Sequence, residues 1–279
     1  MTAKVLGFFS LISTALMSMA AAAQQDMPTP SFPKEWQLGL QTPASTVAQM
    51  IHDFHNELLW MCVIISTFVL ILLLICIFRF NEKANPVPSK TSHNTLIEII
   101  WTVVPIMILV TLAIPSYRLL FYMDRTHEAE MTLKVIGNQW FWSYEYTDQE
   151  ISFDAIALQE DQIDKSKGQH RLFETDKHVV LPVDTNIRIL FTANDVIHAW
   201  TIPAFGVKLD NMPGRTNETW VHITKEGRFY GQCSELCGID HSFMPIVVDV
   251  VSKEKFQEWI AKEKQAAEGP ATTQLASAQ

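Results

Sequence analysis

Two long uncharged stretches dominate the pattern of hydrophobic and polar positions in the first half of the chain. Residues 58–78 form a run of 21 residues without a charge, and residues 99–117 form a second run of 19. About 20 consecutive apolar residues are enough to cross the hydrocarbon core of a bilayer as a helix. The pattern therefore predicts a hairpin of two transmembrane helices, joined by a loop at residues 79–98.

The first 23 residues predict a secretory signal peptide. Lys4 precedes a short apolar run that ends in small residues, which is the usual order of segments in such peptides. The alternative, a further membrane helix, is disfavoured because the run is short for a span. The loop 79–98 carries three basic residues, whereas residues 24–57 carry one lysine and four acids. Positive loops stay in the cytoplasm, so the loop is predicted to be cytoplasmic and both chain ends exported.

Beyond the second span the pattern changes to short strands. Runs rich in β-branched and aromatic residues recur between clusters of Asp, Gly, Pro or Lys. The predicted strands are 131–135, 139–146, 178–181, 186–192, 218–223 and 245–251. They indicate an all-β Greek-key sandwich or barrel within residues 128–264. Helical spacing of apolar residues predicts a helix over 253–264, and the segment 265–279 is predicted to be a disordered tail.

The negative charge of the chain is concentrated in this β-rich part. Residues 128–279 contain 14 Lys+Arg and 23 Asp+Glu, a difference of −9 that equals the net charge of the whole chain. Such a surface disfavours nucleic acid as a partner and favours a basic protein.

The segment GQCSELCGIDHSFMP, residues 231–245, gathers two cysteines, a histidine and a methionine. A disulfide between Cys233 and Cys237 would close a very small ring and give no role to His241 and Met244. Zinc sites need further nitrogen or sulfur ligands and do not recruit a thioether. Thiolate, thioether and imidazole together suit copper, and the second thiolate suits two copper ions rather than one. The other cysteines, Cys62 and Cys76, lie in the first apolar run.

A copper site of this kind needs a second histidine from elsewhere in the fold. His198, in NDVIHAWTIP, follows a predicted strand and is the preferred candidate. A sandwich would bring the end of an upstream strand beside the ligand loop. His222 competes with it, and spacing in the sequence does not exclude His222.

The order of these motifs resembles a known family. Two spans are followed by GNQWFWSYEY (137–146), DVIHAW (195–200), PGR (213–215) and GQCSELCGIDHSFMP. The chain is similar, over essentially its whole mature length, to subunit II of bacterial haem–copper cytochrome c oxidases, whose exported domain has a cupredoxin-like fold. The combined Cys-x-Glu-x-Cys-x3-His-x2-Met pattern is the most specific part of the resemblance.

The resemblance implies a complete ligand set for two coppers, the centre called CuA. Cys233 and Cys237 would bridge the coppers, and His198 and His241 would each bind one of them. Met244 would complete one copper, and the backbone carbonyl of Glu235 the other. The Glu235 side chain would bind a magnesium ion at the contact with the catalytic subunit.

The resemblance also implies how electrons and protons would travel. Trp140 would be the point at which electrons enter from cytochrome c; Phe141 stands where many family members have Tyr. Taken alone, the Trp140–Trp142 run is typical of a strand in the core. The acids implied in docking of the basic cytochrome are Glu145, Asp154 and Asp195. Glu98, at the cytoplasmic start of the second span, would be an entrance to a proton path; otherwise it marks a helix end.

The implied partners are the catalytic haem–copper subunit I, further oxidase subunits, cytochrome c and membrane lipid. The implied location is the bacterial plasma membrane, with both termini and the copper domain in the periplasm. No C-x-x-C-H motif occurs, so no haem is expected on this chain. One alternative is a membrane-anchored copper-binding or chaperone protein. A quinol oxidase subunit II is disfavoured because that class lacks the cysteines that are present here. Nitrous oxide reductase is disfavoured by the two membrane spans.

Overall fold

The computed structural model describes residues 31–125, 128–164 and 169–267. The predicted signal peptide lies outside these residues. The described chain begins with two long helices, α1 (Thr46–Arg79) and α2 (Thr95–Asp124), and ends with a third, α3 (Lys253–Ala267). Between α2 and α3 lie ten strands in two five-stranded sheets. The predicted architecture, a helical hairpin followed by a β-sandwich, is confirmed.

Both membrane helices are longer than the uncharged runs within them. Helix α1 has 34 residues and is therefore about 51 Å long, well beyond the thickness of a bilayer core. Its first turn is buried against the sandwich through Val47 and Ala48. The Ser45 hydroxyl accepts a hydrogen bond from the Ala48 amide and donates one to the Phe205 carbonyl, which caps the helix and fixes it to the sandwich. Helix α1 thus runs without interruption from the β domain into its apolar segment.

The window of highest hydropathy in each of these two helices is exposed. Pro105 and Pro115 lie inside α2 without ending it. Apolar helix surfaces that none of the described residues covers require lipid or a partner chain. The chain is therefore membrane-anchored.

Neighbouring strands in each sheet are often not consecutive in the sequence. The first sheet runs β3-β2-β1-β5-β8, and the second runs β4-β10-β9-β6-β7. The strands are β1 (Met131–Asn138), β2 (Phe141–Tyr146), β3 (Ile151–Ala155), β4 (Val179–Pro182), β5 (Asn186–Ala193), β6 (His198–Ile202), β7 (Val207–Asn211), β8 (Asn217–His222), β9 (Gly227–Cys233) and β10 (Pro245–Val251). The chain crosses repeatedly from one sheet to the other; among the ten strands described, β1–β5 and β4–β10 pair in parallel.

The inner faces of the sheets form one apolar core. Strand β5 alternates buried and half-buried residues along its length, as a strand with one face in a core must. Trp142, Tyr144 and Trp200 are fully buried between the sheets, and the Trp200 indole donates to the Tyr144 hydroxyl. The Asn211 amide donates to the Val135 carbonyl and so links the second sheet to the first. This core fixes the strand ends that carry the candidate site.

The strand predictions are partly correct. Strand β10 has the predicted bounds, and five other predicted strands differ only at their ends. Strands β3, β6, β7 and β9 were not predicted. Strand β9 contains Gly231, where a Cβ atom would lie 1.9 Å from the Thr201 carbonyl oxygen. The close approach of β6 requires glycine at this position. Because glycine is uncommon inside strands, the residue types of this segment do not predict a strand.

The C-terminal helix packs on the sandwich through Phe256 and Ile260. It extends to Ala267, so the first three residues of the predicted disordered tail are helical, and the others lie outside the described residues.

Candidate metal centre

The candidate site forms where two adjacent strands meet one loop. His198 begins β6 and Cys233 ends β9, and these strands pair with Trp200 opposite Cys233. The loop after Cys233 returns to β10, which pairs with β9. The Cys233 amide donates to the Met244 carbonyl at 3.0 Å and closes the loop. Cys237 and His241 are held inside this closed loop.

The sulfur and nitrogen atoms of these residues converge. The two Sγ atoms are 3.9 Å apart, and both cysteines are free thiols. His198 Nδ1 lies 3.9 Å from Cys233 Sγ, and His241 Nδ1 lies 3.5 Å from Cys237 Sγ. Met244 Sδ lies 3.6 Å from Cys237 Sγ. The ligand atoms of His198, Cys233 and Cys237 lie within 4.8 Å of one another. Among the described residues, the site therefore presents two adjacent thiols with two imidazoles and one thioether in contact with them.

The backbone of Glu235 supplies an oxygen to the same centre. Its carbonyl lies 3.4 Å from Cys233 Sγ, while its side chain is exposed to solvent. Cys233, Cys237, His198 and Met244 are buried, and His241 is half-buried. Soft sulfur donors with imidazole, shielded from water, fit copper ions and do not resemble the all-oxygen sites of magnesium or calcium.

Two features hold His198 in place. A Cβ atom on Gly137 of β1 would lie 2.7 Å from His198 Cδ2, so the imidazole packs directly on the β1 backbone. His198 Nε2 donates to Asp195 Oδ1 at 2.8 Å, which leaves Nδ1 facing Cys233. His222, the competing histidine, instead contacts Asn186 and Asp184. The geometry therefore favours His198 as the ligand.

Burial and hydrogen bonds in the site shift the pKa values of Cys233, Cys237 and His198. Burial opposes ionisation of Cys233, but its hydrogen bonds, chiefly with His198, outweigh burial and lower its pKa to about 6. Burial, reinforced by the Cys233 sulfur, raises the pKa of Cys237 to about 12. Burial opposes ionisation of His198, yet its hydrogen bonds to Cys233 and Asp195 raise its pKa overall. The contacts of the site therefore favour ionisation of Cys233 and oppose that of Cys237.

Gln139 is a contributor to the site that the sequence did not predict. Its backbone amide donates to Asp195 Oδ2 at 2.6 Å, and its side-chain amide donates to the Cys237 carbonyl at 2.8 Å. It thus ties the turn that orients His198 to the loop that carries Cys237. The one sequence feature that could have indicated a role for Gln139 is its position directly before Trp140, in the GNQWFW stretch.

Trp140 lies beside the ligand loop. A Cβ atom on Gly238, the residue after Cys237, would lie 2.9 Å from Trp140 Cζ2. The Trp140 side chain is half-buried, and its Nε1 has no hydrogen-bond partner among the described residues. Phe141, next to it, lines a surface cavity of about 560 Å³ with Trp140, Asp240 and Phe243.

The predicted acids occupy different environments. Glu145 and Asp154 lie on the outer face of the first sheet, where Glu145 pairs with Lys134 at 2.8 Å and Asp154 accepts from Ser143. Asp195 instead uses both carboxylate oxygens to bind His198 and Gln139. Glu98 lies in the first turn of α2, far along the chain from the copper ligands.

The fold and the site together define a membrane-anchored β-sandwich protein with a buried cluster of cysteine and histidine side chains that could hold a metal ion. A family model described as cytochrome c oxidase subunit II, periplasmic domain, matches residues 131–251, and one described as its transmembrane domain matches residues 33–119. A protein of Rickettsia bellii named probable cytochrome c oxidase subunit 2 is 44% identical over 269 residues, covering 96% of this chain and 97% of its own. The chain belongs to the cytochrome c oxidase subunit II family.

Further relatives include a eukaryotic protein and a solved bacterial domain. Cytochrome c oxidase subunit 2 of Phytophthora megasperma is 48% identical over 231 residues, which is 81% of this chain and 86% of that protein. The crystal structure of the periplasmic domain of subunit II of cytochrome oxidase from Bradyrhizobium japonicum is 45% identical. It covers 51% of this chain and 99% of that chain, with a TM-score of 0.47.

We expect Gly137→Ala to displace the His198 imidazole and to destabilise the protein by about 1–3 kcal/mol, because the added methyl group overlaps the ring. Urea unfolding of the full chain in detergent measures the loss, and the nitrogen chemical shifts of His198 report the ring displacement. Gly39→Ala is the matched control, since nothing lies within 4 Å of its added Cβ. Equal stability of the two variants would contradict the tight contact at Gly137.

Proposed function

We propose that this chain accepts electrons from cytochrome c and passes them to the haem centres of a catalytic oxidase subunit, where oxygen is reduced to water with proton pumping. The observation that carries the proposal is the convergence of two thiols, two imidazoles, a thioether and a carbonyl within one closed loop and its neighbouring strand. A membrane-anchored copper carrier would need ligands that exchange readily. Burial of four of these residues, with His198 fully buried, argues for a resident metal instead.

The residues are proposed to hold two copper ions as a CuA centre. Cys233 and Cys237 would bridge the ions; His198, His241, Met244 and the Glu235 carbonyl would complete the set. When bound, the copper pair would supply reversible one-electron redox chemistry. The protein contributes a rigid cage, because the ligands stand on paired strands and a closed loop, and Asp195 fixes the orientation of His198.

The Glu235 side chain is proposed to bind magnesium at the contact with the catalytic subunit. The side chain is exposed and has no hydrogen-bond or ion-pair partner among the described residues, while its own backbone carbonyl faces the copper ligands. Carboxylate oxygen is a ligand that magnesium prefers. Metal analysis of the assembled oxidase carrying Glu235→Gln should find less magnesium with copper retained; an unchanged magnesium content would refute this role.

Trp140 is proposed as the point at which electrons enter. Its half-buried indole is open to a partner on one side and contacts Gly238, next to Cys237, on the other. Gln139, its neighbour, donates to the Cys237 carbonyl. Both contacts shorten the route from a docked donor to the ligand loop.

We expect Trp140→Phe to slow electron transfer from reduced cytochrome c by on the order of tenfold or more, with copper content unchanged. Stopped-flow oxidation of cytochrome c by the assembled oxidase measures the rate. Trp36→Phe is the matched control, because Trp36 is almost fully exposed on the N-terminal segment. A rate as fast as that of the control would remove Trp140 from the path.

The docking face for cytochrome c is proposed to include Glu145, Asp154 and Asp195. Glu145 and Asp154 lie near each other on the paired strands β2 and β3, and β2 begins directly after Trp140. Lys134 neutralises part of the Glu145 charge, and Asp195 also orients His198. The net charge of −9 on this half of the chain adds a long-range attraction for a basic protein.

We expect the rate constant for cytochrome c to fall on the order of tenfold between about 20 mM and about 200 mM salt. Asp154→Asn should make this dependence shallower, since one attractive charge is lost while the copper ligands stay in place. Asp53→Asn, on α1 and away from this face, serves as the charge-matched control. A rate that ignores ionic strength would rule out electrostatic docking.

Glu98 is proposed as the entrance of a proton path into the catalytic subunit. It lies in the first turn of α2, beside the loop that charge asymmetry assigns to the cytoplasm. This orientation puts the copper domain in the periplasm of a bacterial plasma membrane, with subunit I and further oxidase subunits covering the exposed helices.

We expect Glu98→Gln to slow oxidase turnover and proton uptake without altering the copper spectrum, because the side chain lies at the opposite end of α2 from the sandwich. Proton uptake by the oxidase in vesicles, measured with a pH dye, tests this expectation. Glu82→Gln removes a neighbouring loop carboxylate and is the control. Normal turnover in Glu98→Gln would refute the assignment.

A further inference from the structure

A second cavity lies where the membrane helices meet the sandwich, away from the copper ligands. It has a volume of about 400 Å³ and is lined by Met50 of α1, by Arg118, Phe121 and Tyr122 of α2, and by Arg125, the residue that caps the end of α2. The three α2 residues follow the spacing i, i+3, i+4, so they lie on one face of the helix, and Arg125 continues from its end. The lining thus combines two guanidinium groups with two aromatic rings.

The cavity lies at the depth of lipid headgroups. Arg118 directly follows the uncharged run 99–117, and Arg125 is the first residue after the end of α2, seven residues further along the chain. The region just outside the hydrocarbon core holds phosphate groups and favours aromatic side chains. A ligand between these arginines would therefore be within reach of both the headgroup layer and the acyl chains.

Neither guanidinium forms an ion pair with a carboxylate of the residues that the structure describes. The acids nearest in sequence to the two arginines are Asp124 and Glu128, and neither is within ion-pair distance of them. On α1 the nearest acid to Met50 is Asp53, whose carboxylate accepts from Gln49 instead. Two arginines without a carboxylate partner among these residues, beside a bilayer, attract an anion with several oxygen acceptors, and guanidinium binds phosphate through paired hydrogen bonds.

The apolar walls indicate that the anion is amphiphilic. Phe121 is 65% exposed and continues the apolar surface of α2 towards the membrane. Met50 adds a flexible thioether from the facing helix. A carboxylate from a protein partner would need the arginines alone, whereas a lipid would use the arginines for its phosphate and these side chains for the start of its acyl chains.

The cavity is held in shape by the sandwich. The Trp220 indole of β8 donates to the Tyr122 carbonyl at 3.2 Å, and its ring meets the Tyr122 ring edge-on at 5.2 Å. On the other side, Ser45 fixes the start of α1 to the Phe205 carbonyl. Both walls are thus attached to the β domain, and the cavity does not depend on a partner to form.

We propose that Arg118 and Arg125 bind the phosphate of one anionic membrane phospholipid, on the sandwich side of the bilayer. The lipid would fill the space between α1, α2 and the β domain. It would also stabilise the contacts between the two membrane helices and the β domain, which hold that domain at a fixed height above the membrane. This proposal is independent of the copper chemistry.

Native mass spectrometry of the full chain in detergent tests the proposal with phosphatidylglycerol and phosphatidylcholine as the two probes. We expect one phosphatidylglycerol to bind at least about tenfold more tightly than phosphatidylcholine, the effect of one charge-assisted contact. Arg118→Gln combined with Arg125→Gln should remove this preference. Arg79→Gln combined with Lys83→Gln removes two cations at the other end of the hairpin and should leave it intact.

Several results would overturn the proposal. They are the absence of a preference for phosphatidylglycerol, a preference that survives in the Arg118/Arg125 double variant, and full competition by millimolar inorganic phosphate, which would indicate a simple anion site. If the double variant keeps its lipids but loses its association with subunit I, the arginines bind a protein carboxylate instead, which also refutes it.

A second measurement does not depend on the variants. A photoactivatable phosphatidylglycerol with its reactive group near the start of the acyl chain should label the peptide that contains Met50 or Phe121. Labelling spread evenly along α1 and α2, with no excess at these two residues, would equally contradict a defined site.

Discussion

The hydrogen bond from the Cys233 amide to the Met244 carbonyl is the contact on which the site depends most. It closes the ligand loop at the point where β9 ends and β10 begins. Because β9 also pairs with β6, the same strand end stands beside His198. Five side chains and one carbonyl are brought together by this pairing of neighbouring strands, without a long flexible segment. A metal held in such a cage can change its charge with little movement of its ligands, which is the requirement for rapid electron transfer.

The first sheet contributes by supporting the ligands rather than by supplying them. Gly137 of β1 lets the His198 ring lie on the backbone, and Gln139 connects Asp195 to the Cys237 carbonyl. Trp140 continues from the same strand to the outer surface. One short stretch between β1 and β2 therefore orients a ligand, braces the loop and presents an aromatic ring to a partner. The anchoring of α1 and α2 to the sandwich then sets the height of this arrangement above the membrane.

The chemistry of the site was predictable from the sequence to the extent that it is local. Cys233, Cys237, His241 and Met244 fall within twelve positions, so their donor atoms had to be near one another, and the two uncharged runs report bilayer thickness directly. The choice of His198 over His222 was not predictable from the residues alone. It depends on the pairing of β6 with β9, and neither strand follows a simple alternation of apolar and polar residues. Asp195 was predicted as a surface acid, because its bond to His198 exists only once the turn between β5 and β6 is formed. The role of Gln139 was not predictable for the same reason, since its two hydrogen-bond partners are 56 and 98 residues away in the sequence.

The central claim is that these ligands hold two coppers that share one electron. The most direct measurement is electron paramagnetic resonance, with copper analysis, of the full chain loaded with copper in detergent. The full chain is required because residues 44–48 pack on the sandwich. We predict two coppers per chain and a spectrum in which one unpaired electron is spread equally over both nuclei. A folded chain that binds a single copper, or one whose spectrum shows the electron on one nucleus only, would contradict it.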